Sequence, residues 1–377
     1  MGSGDDEVTI GALDKDYTVT GGEGTDTLVA TASAPGTTLA AANYVGVGVS
    51  GFEQASAAGG GSIDFRSLAN NTTFVSTDGA GTYSKAPSTI TDSYLDAASG
   101  TVTLTRATDG AADTINFHIT DATAATVAGS FVDAETVTVA SAGTGSNLTH
   151  NLSLTVKDAT KLNVIGSNGL NITSLAGETA LATIDAGTHT GQALTVDASG
   201  ATVATTVTGS AGAQSSLGAV VNTITTGSGA DKVTGGAYRD IITTNTGHDS
   251  VTGGGGNDTI TTGGGNDTAI GGDGDDTITT GTGSDSITGG AGNDLINAGS
   301  GADTVDAGAG TDQIVVALSD STSVDGGAGT DRVSAATGTI TSTSAASVTG
   351  QYIAVADSVK PGLTGVEQLY VRVDADT

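Results

Sequence analysis

Residues 253–278 read GGGGNDTITTGGGNDTAIGGDGDDTI, and this segment repeats a nine-residue unit. Glycine, aspartate and a large aliphatic residue keep one phase through it, so the unit is G-G-x-G-x-D-x-U-x, where U is the aliphatic residue. A disordered acidic linker would not hold isoleucine or valine at a constant phase. The period continues in both directions and places ten aspartates nine residues apart: Asp231, Asp240, Asp249, Asp258, Asp267, Asp276, Asp285, Asp294, Asp303 and Asp312.

The repeat predicts a parallel β-roll. Its x-U-x part is long enough for a short strand with one inward side chain, and its glycines allow the positive-φ turn that must follow. Two units make one coil, and coils stack about 4.8 Å apart. The aspartates then divide between two edges of the roll. The first edge carries Asp231, Asp249, Asp267, Asp285 and Asp303, and the second edge carries Asp240, Asp258, Asp276, Asp294 and Asp312.

Three positions depart from the repeat. Tyr238 replaces the third glycine of its unit, which weakens the prediction for the first coil. Asn245 stands where a glycine is expected, and asparagine tolerates the left-handed conformation. Ala269 occupies an inward aliphatic position beside Ile270, so we expect a small gap or a local shift there.

The charge of the two edges predicts bound calcium. Residues 221–316 hold thirteen aspartates against Lys232 and Arg239, a net charge of −11. Carboxylates stacked about 5 Å apart repel one another strongly. Calcium accepts carboxylate and backbone carbonyl oxygens together, so about eight ions, four per edge, would fill the gaps between successive aspartates. The expected carbonyl ligands lie in the turns at Gly256, Gly265, Gly274, Gly283, Gly292 and Gly301.

The same pattern flanks the main block. GSGDDEV at residues 2–8 and GGEGTDTL at 21–28 resemble GAGTDQI at 308–314 and GGAGTDRV at 326–333. These segments add Asp6, Asp26 and Asp331 as candidate calcium ligands. A similar four-residue motif follows each pair of segments, GFEQ at 51–54 and GVEQ at 365–368. The chain therefore has the pattern of a slice through a longer protein with a module of about 300 residues.

The remaining sequence predicts an all-β chain. Residues 55–220 contain short β-branched runs such as TVTLT at 101–105 and ETVTV at 135–139, separated by Gly, Asn, Asp or Ser. We expect a β-solenoid or a β-sandwich on which the roll stacks. The predicted domains are a tail and cap of a preceding module at 1–50, a Thr/Ala/Val-rich β domain at 51–220, the calcium roll at 221–316, and a cap leading into the next module at 317–377.

Composition excludes several classes of partner. The chain has 41 acidic against 11 basic residues and a net charge of −30, which disfavours nucleic acid and anionic lipid. It lacks cysteine, as expected of a chain that is stable outside the cell without disulfides. No apolar run approaches the length of a membrane span, and the first residues lack the features of a signal peptide. We expect no membrane insertion, and an export signal outside these residues.

On these motifs the chain resembles RTX (repeats-in-toxin) proteins, which carry glycine-aspartate nonapeptides and leave the cell by type I secretion. The Thr/Ala/Ser/Val-rich strands and the phrases at 51–54 and 365–368 also resemble RTX-type surface-layer proteins of Gram-negative bacteria. The resemblance implies secretion in an unfolded state, folding triggered by calcium outside the cell, and a place at the bacterial surface. It also implies self-assembly with like protomers in a lattice and contact with cell-surface polysaccharide.

Catalytic motifs are absent from the sequence. None of His118, His150, His189 and His248 lies in an H-E-x-x-H motif, and no G-x-S-x-G elbow or phosphate-binding loop occurs. We therefore expect no enzymatic activity from these residues. Three functions remain open: a structural module of a surface layer, a repeat or stalk of a large RTX adhesin, and an accessory domain of a secreted enzyme or toxin.

Overall fold

The computed structural model describes residues 222–317 and 323–337 in full and residues 91–211 with short gaps at 96–98, 107–112, 121–125, 143–147, 177–179 and 192. Elsewhere it describes the strands given below together with residues 3–5 and 23. The described residues form β-strands and turns and contain no α-helix. Within that part of the chain, no helix has the length and apolar character needed to span a membrane. The all-β prediction is confirmed.

The chain divides into two units, Met1–Asp197 and Ala198–Thr377. The strands of the first unit are β1 (Glu7–Ile10), β2 (Thr18–Thr20), β3 (Thr27–Thr31), β4 (Thr38–Leu39), β5 (Gly48–Ser50), β6 (Gln54–Ala58), β7 (Ser62–Asp64), β8 (Phe74–Thr77), β9 (Gly81–Ala86), β10 (Asp92–Leu95), β11 (Ser99–Arg106), β12 (Thr114–Ile119), β13 (Thr126–Val132), β14 (Thr136–Ser141), β15 (Thr149–Thr155), β16 (Lys161–Gly166), β17 (Gly169–Ala176), β18 (Thr183–Asp185) and β19 (Leu194–Asp197).

The first unit is a parallel β-solenoid. One sheet runs β1-β3-β6-β8-β10-β12-β14-β16-β18 and the other runs β4-β7-β9-β11-β13-β15-β17-β19, with every pair parallel. Strands β2 and β5 form a separate parallel pair. Inward residues stack in register from coil to coil, as Val137 does on Leu162 and Leu162 on Ile184, and all three are buried. Of the two topologies expected for residues 55–220, the solenoid is the one observed.

The strands of the second unit are β20 (Thr206–Thr208), β21 (Asn222–Thr225), β22 (Lys232–Gly236), β23 (Asp240–Thr243), β24 (Ser250–Gly255), β25 (Thr259–Thr261), β26 (Thr268–Asp273), β27 (Thr277–Thr279), β28 (Ser286–Ala291), β29 (Leu295–Asn297), β30 (Thr304–Gly310), β31 (Gln313–Ala317), β32 (Ser323–Asp325), β33 (Ala328–Gly329), β34 (Arg332–Thr337), β35 (Leu363–Thr364) and β36 (Gln368–Val371). Even-numbered strands from β20 to β30 form one parallel sheet and odd-numbered strands from β21 to β31 form the other.

The second unit contains the predicted roll. Each strand from β22 to β29 buries one aliphatic residue, and Ile242, Ile260 and Ile278 stack in register on one sheet. Ala269 stays in register between Val251 and Ile287 and is fully buried, while Ile270 is 37% exposed. The register therefore does not shift at the small residue. Because the strands are so short and the inward positions so few, the roll has a thin apolar core whose stability depends on its turns.

Candidate metal centre

Each edge of the roll is an aspartate ladder linked by hydrogen bonds. After the first aspartate of each edge, Oδ1 accepts a hydrogen bond from the backbone N–H of the aspartate 18 residues earlier, as between Asp258 N and Asp276 Oδ1 at 2.7 Å. On the first edge this links Asp231, Asp249, Asp267, Asp285 and Asp303. On the second edge it links Asp240, Asp258, Asp276, Asp294 and Asp312, and a bond across 19 residues adds Asp331. The first aspartate of the first edge, Asp231, accepts instead from Thr205 N at 2.7 Å. The structure thus brings the ten repeat aspartates and Asp331 together, whereas Asp6 and Asp26 lie outside the described residues.

The second carboxylate oxygen of each of the ten repeat aspartates is buried without a hydrogen-bond partner. The atoms concerned are Oδ2 of Asp231, Asp240, Asp249, Asp258, Asp267, Asp276, Asp285, Asp294, Asp303 and Asp312. An unpaired buried carboxylate oxygen is costly, and one is rarely found without a cation or a donor beside it. A regular row of such atoms on both edges indicates sites built for cations.

Burial opposes ionisation of these carboxylates. Burial raises the pKa of Asp258 to about 8, and the backbone N–H of Asp240 only partly offsets it. Burial likewise raises the pKa of Asp240, Asp276 and Asp312 to about 6. On the first edge it raises the pKa of Asp249, Asp285 and Asp303. A bound cation would stabilise the charged form that burial penalises.

Backbone carbonyls complete the donor set on the second edge. A Cβ built on Gly253 would stand 2.8 Å from the carbonyl oxygen of Gly271 and in contact with Asp258 Oδ2. The same arrangement recurs one coil further, where Gly289 O lies 2.6 Å from a Cβ on Gly271. A carboxylate and a carbonyl oxygen thus converge on space that only glycine leaves open. Hard oxygen ligands of this kind suit calcium, so these residues fit the ion.

Side chains alone do not form a site. Among the described residues, no group of three or more His, Asp or Glu side chains is placed to hold a metal ion. A ladder aspartate would therefore need main-chain oxygens beside it to hold an ion, as the sequence predicts for an RTX-like turn. This dependence on the backbone explains why the turn conformation matters as much as the carboxylates.

The turn glycines adopt conformations that other residues avoid. Gly256, Gly265, Gly274, Gly283, Gly292 and Gly301, two residues before each aspartate, have φ between +99° and +146°. A Cβ on Gly265 would fall on the carbonyl oxygen of Gly247, one coil earlier. Asn245 takes the positive-φ position of its turn at +65°, in agreement with the prediction for asparagine. Tyr238 is not in the positive-φ region, yet Asp240 still accepts its ladder hydrogen bond from Asn222.

The sequence reasoning missed Asn222, which ends the second edge. Its backbone N–H and side-chain Nδ2 donate to Asp240 Oδ1 at 2.9 and 2.7 Å, and Nδ2 also donates to Gly235 O at 3.4 Å. An amide donor therefore binds the carboxylate and the carbonyl that a cation would otherwise bridge. The nine-residue period would have found this residue, because it lies eighteen positions before Asp240.

An exposed second ladder was also missed. Five of the residues that directly precede an aspartate accept a hydrogen bond from the backbone one coil later, as Asn266 Oδ1 does from Ser284 N at 2.8 Å and Asn293 Oδ1 from Thr311 N at 2.9 Å. His248 is exposed, and its Nδ1 accepts a hydrogen bond from Asn266 N at 2.8 Å. These side chains hold successive turns in register outside the aspartates.

Comparison with known families agrees with this geometry. Residues 225–260, 252–287 and 279–314 match the model of the RTX calcium-binding nonapeptide repeat. This segment is an RTX β-roll. RTX repeats in general bind calcium, and proteins that carry them are typically secreted. Neither the curated proteins nor the solved structures gave a significant match to the chain.

The Asn222 cap leads to a prediction about the RTX roll. Asn222→Asp replaces the amide donor by a carboxylate opposite Asp240, so we expect one additional bound calcium ion and a higher calcium requirement for folding. Native mass spectrometry would count the ions. Asn297→Asp makes the same charge change at an exposed position and keeps its bond from Gly299 N, so it serves as the matched control. An unchanged ion count in Asn222→Asp would contradict the role given to this residue.

Proposed function

We propose that this chain is a structural module of a secreted bacterial surface-layer protein that calcium folds and assembles. The observation that carries the proposal is the double row of buried, unpartnered Oδ2 atoms in the RTX roll. Such a row has no evident use in catalysis, but it makes the folded state depend on a cation. The proposal includes no enzymatic activity.

Folding by calcium follows from the residues of the roll. In calcium-poor surroundings the ladder carboxylates repel along each edge, and the single buried aliphatic residue per strand is too little to hold the coils together. The ladder aspartates and the carbonyls of Gly271 and its equivalents would hold the ions. Bound calcium would supply positive charge between the coils, and its binding free energy would be folding free energy.

A duplicated strand register supports a modular role. The residues after Asp6 and Asp26 lead into coils with the pairs Glu7–Thr27 and Thr27–Gln54, and those after Asp312 and Asp331 lead into coils with the pairs Gln313–Arg332 and Arg332–Gln368. Gly4 has φ +136° and donates to the carbonyl of Glu23, and the corresponding Gly310 has φ +156°. The same three-coil element thus occurs twice, about 306 residues apart, as expected of modules linked in series.

The second candidate function is a repeat or stalk of a secreted RTX adhesin. Coils that repeat one register, and an element that recurs at module length, suit an extended stalk as well as a lattice subunit. Like protomers in a surface lattice are the proposed partners in the first case, and cell-surface polysaccharide is a proposed partner in either.

Electron microscopy of the full chain with and without calcium tests the two functions against each other. We expect ordered two-dimensional arrays when calcium is added to chelated protein, and their loss on renewed chelation. Magnesium at the same concentration is the matched control, because it prefers fewer and more rigid ligands. Extended monomers that bind isolated cell-surface polysaccharide would favour the adhesin, and neither arrays nor such binding would reject both.

The raised pKa values predict an unusual pH dependence for the calcium-free RTX roll. A folded-state pKa near 8 for Asp258, and near 6 for Asp276, lies above the unfolded value of 3.8, so the folded state binds protons more tightly. The resulting stability is fully present below pH 3.8 and is lost as the pH rises through 6 to 8. We therefore expect β-structure in chelator at about pH 5 that disappears by about pH 8, followed by far-UV circular dichroism.

Saturating calcium should remove this dependence. Protons and calcium both bind the carboxylates of the folded roll, so the calcium concentration at the folding midpoint should fall as the pH falls from 8 to 6, because protonation already stabilises the folded state. A high concentration of potassium chloride at pH 8 is the control for general charge repulsion, because it screens surface charges more than buried ones. A calcium midpoint that does not change with pH would contradict the assignment of the ligands.

A further inference from the structure

The two edges of the roll differ at the position five residues before each aspartate. On the second edge this residue has no side chain beyond a methyl group: Gly235, Gly253, Gly271, Gly289 and Ala307. On the first edge this residue is threonine in four repeats, Thr226, Thr244, Thr262 and Thr280, and alanine in the fifth, Ala298. The four threonines are fully buried. A period of eighteen residues, and not nine, therefore governs this position.

On the first edge, the threonines occupy the space beside the carboxylates and bind the neighbouring carbonyls. The Oγ1 atoms of Thr244, Thr262 and Thr280 donate to the carbonyl oxygens of Thr262, Thr280 and Ala298 at 3.2, 3.1 and 3.1 Å. The Asn245 side chain donates to the carbonyl of Thr226. These carbonyls are those equivalent to Gly271 O on the second edge. Successive coils of the first edge are thus already linked by side-chain hydrogen bonds.

On the second edge, the equivalent space holds no threonine side chain. Asp258 Oδ2 and Gly271 O both reach the point where a Cβ of Gly253 would stand, and Asp276 Oδ2 and Gly289 O do the same at Gly271. In the described part of the chain, the carbonyls of Gly253, Gly271 and Gly289 receive no side-chain hydrogen bond. Neither Gly253 nor Gly271 has a positive φ, so the backbone does not require glycine there. Glycine at these positions instead leaves open the space between the aspartate Oδ2 atom and the carbonyl oxygen.

We propose that the roll binds calcium in two classes of site, with tight sites on the second edge and weaker sites on the first. An ion on the second edge meets a carboxylate oxygen that has no donor and a carbonyl oxygen that has no side-chain donor, whereas an ion on the first edge must displace a threonine hydroxyl from the carbonyl. Four positions on the second edge offer this pair of oxygens, at Gly235, Gly253, Gly271 and Gly289, whereas the Cβ of Ala307 occupies the fifth. The inference rests on the proposed calcium function and deepens it.

The two classes would give the roll a graded response. The second edge would fill first as calcium rises and would fold the coils, while the threonine hydrogen bonds hold the first edge in register without requiring a full set of ions. Filling of the first edge would then complete charge neutralisation at higher calcium, as in the extracellular range of weak calcium modules. The roll would thus fold at a lower calcium concentration than the one that fills all of its sites.

The test is calcium release from the full chain, mixed with a fluorescent chelator after saturation. The wild-type protein should release its ions in two phases, with the fast phase from the first edge. Gly271→Ala should remove at least one ion from the slow phase, because a Cβ enters the site. Thr262→Gly should slow part of the fast phase by about tenfold, the size typical of changes to groups that surround metal ligands.

Controls separate this inference from the proposed function. Gly255→Ala adds a methyl group in the same turn region, where the nearest atom is the carbonyl oxygen of Ala237 at 3.3 Å, and should leave both phases unchanged. Release of calcium in a single phase would contradict the proposal of two classes of site, and so would an effect of both variants on the same phase. Neither result would contradict calcium-dependent folding. A wild-type protein that binds no calcium at equilibrium would instead reject the proposed function. If Gly271→Ala fails to fold, the number of release phases of the wild-type protein and the release rate of Thr262→Gly still test the two classes of site.

Discussion

Removal of calcium with EGTA at neutral pH is expected to abolish the β-sheet signal of residues 221–316. Return of calcium in excess should restore the signal. The buried Oδ2 atoms of the ten repeat aspartates have no protein donor, and the carboxylates of one edge lie on successive coils. Burying this charge without a cation costs more free energy than one aliphatic side chain per strand can supply. Far-UV circular dichroism during a chelation and readdition cycle is the measurement.

The matched variant for this experiment replaces Asp258, Asp276 and Asp294 by asparagine. Each amide keeps the Oδ1 acceptor of the ladder, and its Nδ2 can donate to a carbonyl as Asn222 does to Gly235. We expect the triple variant to retain more β-structure than the wild-type protein in EGTA and to bind fewer ions. A wild-type spectrum that EGTA leaves unchanged would reject calcium-dependent folding of the roll.

The second large effect is expected from Gly265→Ala. Gly265 has φ +144°, and a Cβ would fall on the carbonyl oxygen of Gly247 in the preceding coil. The substitution combines a backbone conformation that alanine resists with a clash against main chain that cannot move without separating the coils. We expect a loss of about 3 kcal/mol or more in the free energy of unfolding at saturating calcium.

The neighbouring Gly264 is the control for that substitution. It is not in the positive-φ region, and the nearest atom to a Cβ there is Thr282 Oγ1 at 3.2 Å, at the end of a side chain that can rotate. Gly264→Ala should therefore change the unfolding free energy by about 1 kcal/mol or less. Thermal unfolding in calcium, with the two variants side by side, gives the comparison, and equal melting temperatures would contradict the turn geometry described above.

Much of the roll could be predicted because its interactions are periodic. The repeat places one aliphatic residue inward per nine residues and one aspartate per turn, and coils of eighteen residues follow from this by counting. Ile242, Ile260 and Ile278 therefore stack where the pattern predicts. The coils of the first unit do not share this property: Val137 pairs with Leu162 and Leu162 with Ile184, which are 25 and 22 residues apart. Without a constant period, the sequence left open whether these strands form a solenoid or a sandwich.

The chemistry of the edges could be predicted only in part. Carboxylates at one phase indicate a cation, and RTX turns indicate calcium, but the division of each carboxylate between Oδ1 and Oδ2 depends on the backbone of the preceding coil. The place of Asp331 in the ladder also depends on the backbone of the preceding coil. Asp331 lies 19 residues after Asp312 and not 18, and yet its Oδ1 accepts a hydrogen bond from Asp312 N at 3.0 Å. Contacts between coils are distant in sequence, so a local pattern does not specify them.

The sequence by itself determined that this chain is all-β, from its β-branched runs between turn residues, and that residues 221–316 contain an RTX roll with aspartates on two edges, from its nine-residue period. Only the tertiary structure decided which oxygens remain without donors, that Asn222 closes one ladder, and that threonine hydroxyls bind the carbonyls of the first edge. The physical reason is that hydrogen bonds and open space between coils arise from residues eighteen positions apart, and these meet only when the coils stack.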